Sequence, residues 1–120
     1  MWSRSGLIVA AGESETEILV SGGLPCRSAL AVKITGTTGF SVVLSLQASP
    51  DEGTNWVTLP FVNLTGTDAD LYADSVTLTT VVTRLVAGLE WVPVNWPLRF
   101  IANNSGGTQA ATLSLWIEQA

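Results

Sequence analysis

The chain has 120 residues, a net charge of −5, a single cysteine (Cys26) and no histidine. That excludes an intrachain disulfide, the common His/Cys zinc sites and every Ser-His-Asp or Cys-His nucleophile pair. Five cations, Arg4, Arg27, Lys33, Arg84 and Arg99, are scattered along it, so no basic footprint is available to displace counterions from nucleic acid.

Length predicts one domain, with residues 13–120 as its body and residues 1–12 as an N-terminal arm or first edge strand. A chain of 12.6 kDa buries about two-thirds of its extended surface on folding, enough for a core without covalent staples. Charged residues are only 12% of the total, against about 25% in ordinary soluble domains. So few charges leave little to oppose association, and part of the outer surface is expected to be covered in an assembly. The apolar run Leu7 to Ala11 is shorter than a signal-peptide core and ends at Gly12-Glu13, and no segment reaches the length of a membrane span. A protein that folds where it is made, with no membrane partner, is the expectation.

In chain order, Trp2 with Leu7, Ile8 and Val9 makes an apolar arm, read as either a strand of its own sheet or a latch on a neighbouring subunit. TEILVS, from Thr16 to Ser21, predicts a strand closed by Gly22-Gly23-Leu24-Pro25. Arg27 to Thr35 follows, with Leu30, Val32 and Ile34 on one face. Gly36-Thr37-Thr38-Gly39 predicts a hairpin turn into Phe40 to Ala48, where Phe40, Val42, Leu44, Leu46 and Ala48 alternate with Ser41, Ser45, Gln47 and Ser49. Ser49-Pro50-Asp51-Glu52-Gly53-Thr54-Asn55 collects turn-forming residues, and Asn55 to Val62 reads as the return strand, with Trp56 packing at the sandwich end behind the turn.

Gly66 to Ser75 reads as an acidic loop with one helical turn. Val76 to Val86 has spacings a helix also uses, but its β-branched residues favour a strand, ended by Gly88. Glu90 to Asn95 predicts a short strand confined to an edge or a bulge by Pro93. Leu98 to Ala102 and Ala110 to Glu118 read as a final pair joined by the hairpin-like loop Asn103 to Gln109. In the last strand Leu113, Leu115 and Ile117 point one way and Thr112, Ser114, Trp116 and Glu118 the other. The sum is an all-β chain, an antiparallel β-sandwich or jelly roll of about eight strands.

Candidate chemistry is sparse. Asp51-Glu52 share a turn and Asp68, Asp70 and Asp74 share a loop, but glycosidase chemistry needs one carboxyl kept protonated in an apolar pocket, and these sit among Thr, Ser and Gly. The Asp68-x-Asp70-x-x-x-Asp74 spacing offers oxygens to calcium but lacks the Gly and distal Glu of an EF-hand loop. A solvated acidic loop is the simpler reading, and no enzyme activity, cofactor or metal is expected. Asn63-Leu64-Thr65 and Asn103-Asn104-Ser105 match the glycosylation pattern and read as turn residues. The tryptophans are better candidates. Trp116 shares a face that should be wet, where it suits a partner contact, a sugar platform or a covering loop. Trp91 and Trp96 flank Pro93 as core plugs or as part of that patch. The expected interface set is Trp2, Leu7, Ile8, Val9, Trp91, Trp96 and Trp116.

Two stretches carry a resemblance. LSLQASPDEGTNWVTL, residues 44–59, resembles the "strand, S-x-D-G-x-x-W, strand" hairpin common in small β-sandwich virion proteins of tailed bacteriophages, with Glu52 where Gly is frequent. PLRFIANNSGGTQAATLSLWIE, residues 97–118, is similar to their closing "L-R-F, polar Gly loop, A-T-L-x-x-W" hairpin. The resemblance implies a capsid decoration or cement protein, made in the host cytoplasm and carried on the virion's capsid surface. There it would bind the major capsid protein and copies of itself, as a homotrimer, and bridge subunits of the shell. Related hairpins in carbohydrate-binding modules keep an alternative open, a glycan-binding or tail adhesin sandwich using Trp91, Trp96 or Trp116.

Overall fold

Strict apolar alternation needs two sheets to bury it, and the chain builds both. The computed structural model describes residues 2–13, 15–20, 28–63, 72–89 and 96–119. These form eleven strands: β1 (Trp2–Val9), β2 (Thr16–Val20), β3 (Ser28–Gly36), β4 (Val42–Ala48), β5 (Val57–Leu59), β6 (Phe61–Asn63), β7 (Tyr72–Ala73), β8 (Val76–Leu78), β9 (Val82–Leu89), β10 (Leu98–Asn103) and β11 (Ala111–Gln119). One sheet has six strands in the order β1-β11-β3-β9-β6-β7, and the other runs β2-β10-β4-β5 with β8 also on β4. Every pairing is antiparallel. The fold is an all-β sandwich, as the alternation predicts.

The period of two is clearest in β4, where Val42, Leu44, Leu46 and Ala48 are buried and Val43, Ser45 and Gln47 are half-exposed. In β3, Leu30, Val32 and Ile34 are sealed, and in β11 Leu113, Leu115 and Ile117 are. Phe40, Phe61 and Phe100 fill the space between the sheets. The rings of Trp2 and Phe100 stack across the two layers at 5.7 Å. Fully burying one such leucine or phenylalanine contributes about 1.5–3 kcal/mol.

The expected connectivity needs correction. Gly36 to Gly39 does not make a hairpin: β3 lies in the six-stranded sheet and β4 in the five-stranded one. Each already has partners on both edges, so the turn carries the chain across the sandwich. Gly39 has φ +130, and a Cβ there would lie 2.8 Å from Thr108 Oγ1. The same holds for β10 and β11, which face each other across the core instead of pairing. Among the described strands, only β4–β5 and β6–β7 are consecutive in chain and in sheet.

The expected return strand, Asn55 to Val62, is two strands on opposite sheets. Pro60 stands between them without an N–H to donate, so the chain bends there and both Leu59 and Phe61 reach the core. Val76 to Val86 likewise divides into β8 and β9, with exposed Thr79, Thr80 and Val81 crossing between layers. These breaks raise the strand count above eight. Gly88 sits inside β9 opposite Ala29 and Val62, not at its end, and a Cβ there would lie 3.2 Å from Val62 Cβ. The expected strand at Glu90 to Asn95, most of the acidic loop and Cys26 lie outside the described residues.

One side chain ties the crossings together. Asn104 is fully buried, and its Nδ2 donates to the carbonyls of Val9 (3.3 Å), Ala10 (3.2 Å) and Gln109 (3.0 Å). Its Oδ1 accepts from the Ser41 N–H at 3.0 Å. The Asn104 N–H donates to Glu13, while its carbonyl accepts from Gly12 and Gly107. Three connections, β1–β2, β3–β4 and β10–β11, therefore meet on one amide.

Candidate functional site

Where the sheets end, their outward positions offer two surfaces. The first is built on the five-stranded sheet around the acidic turn. Ser49, expected to face solvent, is buried because its hydroxyl organises that turn. Its Oγ accepts from the N–H of Gly53 at 2.7 Å and of Asp51 at 3.4 Å, and donates to Asp51 Oδ1 at 2.9 Å. Asp51 in turn accepts from the Asn55 backbone at 2.7 Å and from its side chain. These bonds, that from the Asn55 backbone foremost, hold the Asp51 carboxyl below its ordinary range. A carboxylate held ionised in this way is the reverse of the raised acid that sugar hydrolysis needs.

Beside the turn, residues on three other segments converge on Arg99. Its Nε donates to Gln47 Oε1 at 2.8 Å and its Nη1 meets Glu17 Oε2 at 2.5 Å. The guanidinium lies 4.1 Å from the centroid of the Trp56 ring. Trp56 is half-buried at the sandwich end, close to Gly53 and under this cation. Such a stack contributes about 0.5–1 kcal/mol at a site open to solvent. Glu17 is 45% exposed, so its ion pair serves more to orient Arg99 than to stabilise the fold.

Apolar side chains are exposed at the same end of the sheet. Leu19 pairs with Arg99 in register and is 61% exposed. Val57, opposite Ala48, and Trp96 are also exposed. Trp96 precedes Pro97, whose carbonyl accepts from the Ser49 N–H at 3.0 Å, which places it at the same end of the sheet. Leu19 thus stands beside the bonded polar groups on the outer face, while Val57, on the face of its buried partner Ala48, and Trp96 are exposed at the same end of the sandwich.

The second surface is the outer face of the six-stranded sheet. Trp116 is half-buried there between Ser3 of β1 and Ala31 of β3, and Ala31 pairs with Leu85, which is 53% exposed. Ile8, opposite Thr112, is 70% exposed on the same face.

Of the expected interface set, Ile8, Trp96 and Trp116 reach these surfaces, and Trp91 lies outside the described residues. Val9 is fully buried, and Trp2 and Leu7 pack against the core. This corrects their placement on a partner surface: β1 pairs with β11 of its own sheet, so its inward residues are used in the monomer. Asp68 and Asp70 are outside the described residues, and Asp74 is exposed. Asn103, read with Asn104 as a turn residue, does bond the Ser105 N–H at 2.9 Å, whereas Asn104 is the buried hub. Sequence reasoning passed over Leu19, Val57, Arg99 and Leu85. The available signal was parity: Leu19 shares the outward face of TEILV with Glu17, and Arg99 that of LRFIA with Ile101.

The chain matches no family model, no curated protein and no solved structure.

Proposed function

We propose that this protein is a non-enzymatic structural component of a tailed-phage virion, a decoration protein that binds the outer shell and bridges major capsid subunits. The observation that carries the reading is the end of the five-stranded sheet, where Leu19, Val57 and Trp96 are exposed near a pre-bonded Arg99–Trp56–Gln47–Glu17 cluster. Exposed apolar anchors beside polar groups already held in place form an interface that needs little ordering on contact. The virion assignment rests on the resemblance of residues 44–59 and 97–118 to phage hairpins. On this reading the work is mechanical: surface buried across neighbouring shell subunits opposes their separation.

The test is binding of the purified protein to expanded, undecorated capsids, read by co-sedimentation and capsid melting. Saturable binding that raises the melting temperature, and that falls at least about tenfold in Leu19→Asp or Trp96→Ala, is the expected result. No binding, with capsids equally stable without the protein, removes the proposal. The exposed Trp96 favours a second reading, a glycan-binding sandwich. Saturable quenching of tryptophan fluorescence by polysaccharides, lost in Trp96→Ala, is the outcome that would favour it.

A further inference from the structure

The outer face of the six-stranded sheet has a charge pattern complementary to itself, and we infer that it is covered by a second copy of this chain, face to face about a two-fold axis. Three rows of outward residues carry the argument. The central row runs Ser3, Trp116, Ala31, Leu85 across β1, β11, β3 and β9. On one side of it Ser114, Lys33 and Thr83 are in register, and on the other Glu118, Ala29 and Gly88. Lys33 and Glu118 are thus the charged positions of these outward rows, of opposite sign and on opposite sides of the central one.

A two-fold axis laid along the central row keeps that row in place and exchanges the other two. Lys33 of one copy then stands over Ala29 of the other, offset sideways from Glu118 by about one strand spacing, 4.8 Å, within reach of the two long side chains across the gap, and symmetry repeats the pair. Trp116 meets its own mate, as does Leu85, as an isologous interface requires. Ala29, Ala31 and Gly88 add little height between the large side chains, so two such faces approach at the roughly 10 Å usual between packed sheets. Four strands of about eight residues give a face near 500 Å², or about 1,000 Å² over two copies, the lower bound for a specific interface.

Among the described residues, the unpaired edges of β1 and β2 are poorer docking sites. β1 carries a bulge between Arg4 and Leu7, with Gly6 at φ +68 and its N–H turned to Ser114 Oγ. β2 is five residues long and presents Glu17. Bulges, short strands and charges are the usual means of preventing edge pairing. This inference stands apart from the shell-binding reading, which uses the other sheet, and replaces the homotrimer implied by the phage resemblance with a two-fold pair.

Sedimentation equilibrium of the purified full chain over about 5–200 µM, a range suited to a small interface, tests it. A monomer–dimer equilibrium is expected, with dissociation constants weakened at least tenfold in Lys33→Glu, in Glu118→Lys and in Leu85→Asp, each checked for an unchanged circular dichroism spectrum. The charge-swapped double variant, Lys33→Glu with Glu118→Lys, is expected to recover the dimer. A monomer throughout that range, a trimer, or a dimer indifferent to Lys33→Glu and Leu85→Asp overturns the inference. The two charge changes lie on exposed outward positions, so they keep the test decisive if Leu85→Asp fails to fold. Capsid binding by a strictly monomeric protein would refute the pairing and leave the shell-binding proposal intact.

Discussion

Replacing Asn104 by alanine removes a side chain that accepts one buried N–H and donates to three carbonyls. The N–H of half-buried Ser41 loses its acceptor. An unsatisfied buried donor costs about 1–3 kcal/mol, and the unpaired carbonyls and the small cavity add on the order of 1 kcal/mol. The expected loss is therefore about 3 kcal/mol, or a melting temperature lower by roughly 12 °C for a chain of this length. Urea unfolding followed by tryptophan fluorescence reads it as a lower midpoint at unchanged slope.

Asn103→Ala, one residue away and half-buried with a single local bond, is the control and should cost under about 1 kcal/mol. Asn104→Asp sharpens the test, because a carboxylate would face three carbonyl oxygens. Burial and those oxygens raise its folded pKa above the unfolded value, near ~3.9. The penalty is then small below about pH 4 and grows as pH rises toward the folded pKa. A loss under 1 kcal/mol for Asn104→Ala, or no recovery of Asn104→Asp in acid, would refute the claim that this amide holds three connections together.

Two further outcomes follow from the acidic turn. Glu52 has φ 59, a left-handed conformation that a side chain disfavours, so Glu52→Gly should raise stability by about 0.5–1 kcal/mol, read as a higher urea midpoint. The lowered Asp51 carboxyl makes a contribution that is present above its ordinary value of 3.8 and lost as pH falls through the lower folded value. Asp51→Asn should flatten the acid limb of a stability profile measured from about pH 2 to 6, and an unchanged limb would show that the turn's bonds do not depend on that charge.

Much of the architecture was legible because a strand's side-chain period is local. Val42, Leu44, Leu46 and Ala48 announce an inward face by spacing alone, and so do Leu113, Leu115 and Ile117. The β4–β5 hairpin was legible for the same reason, since Ser49, Asp51, Gly53 and Asn55 close their turn among themselves. Which sheet a strand joins is not local. β3 and β4 have the same pattern whether they pair or face each other, and only the occupation of both edges by β9, β11, β10, β5 and β8 decides for opposition.

Asn104 shows the limit most plainly. In sequence it is one polar residue in a loop of Asn, Ser, Gly and Thr, with nothing to separate it from Asn103. Its role exists only once Val9 and Ser41 arrive from distant parts of the chain, with Gly107 beside it, where a methyl group would overlap Asn104 Oδ1 and lie 2.9 Å from the Ser41 nitrogen. The sequence by itself determined the strands β2, β3, β4, β10 and β11, their buried faces and the acidic turn, because each depends on neighbours a few residues away. Tertiary structure alone decided the crossings, the Arg99 cluster and the Lys33–Glu118 pattern, because hydrogen bonds and charges act through space between residues that the chain keeps far apart.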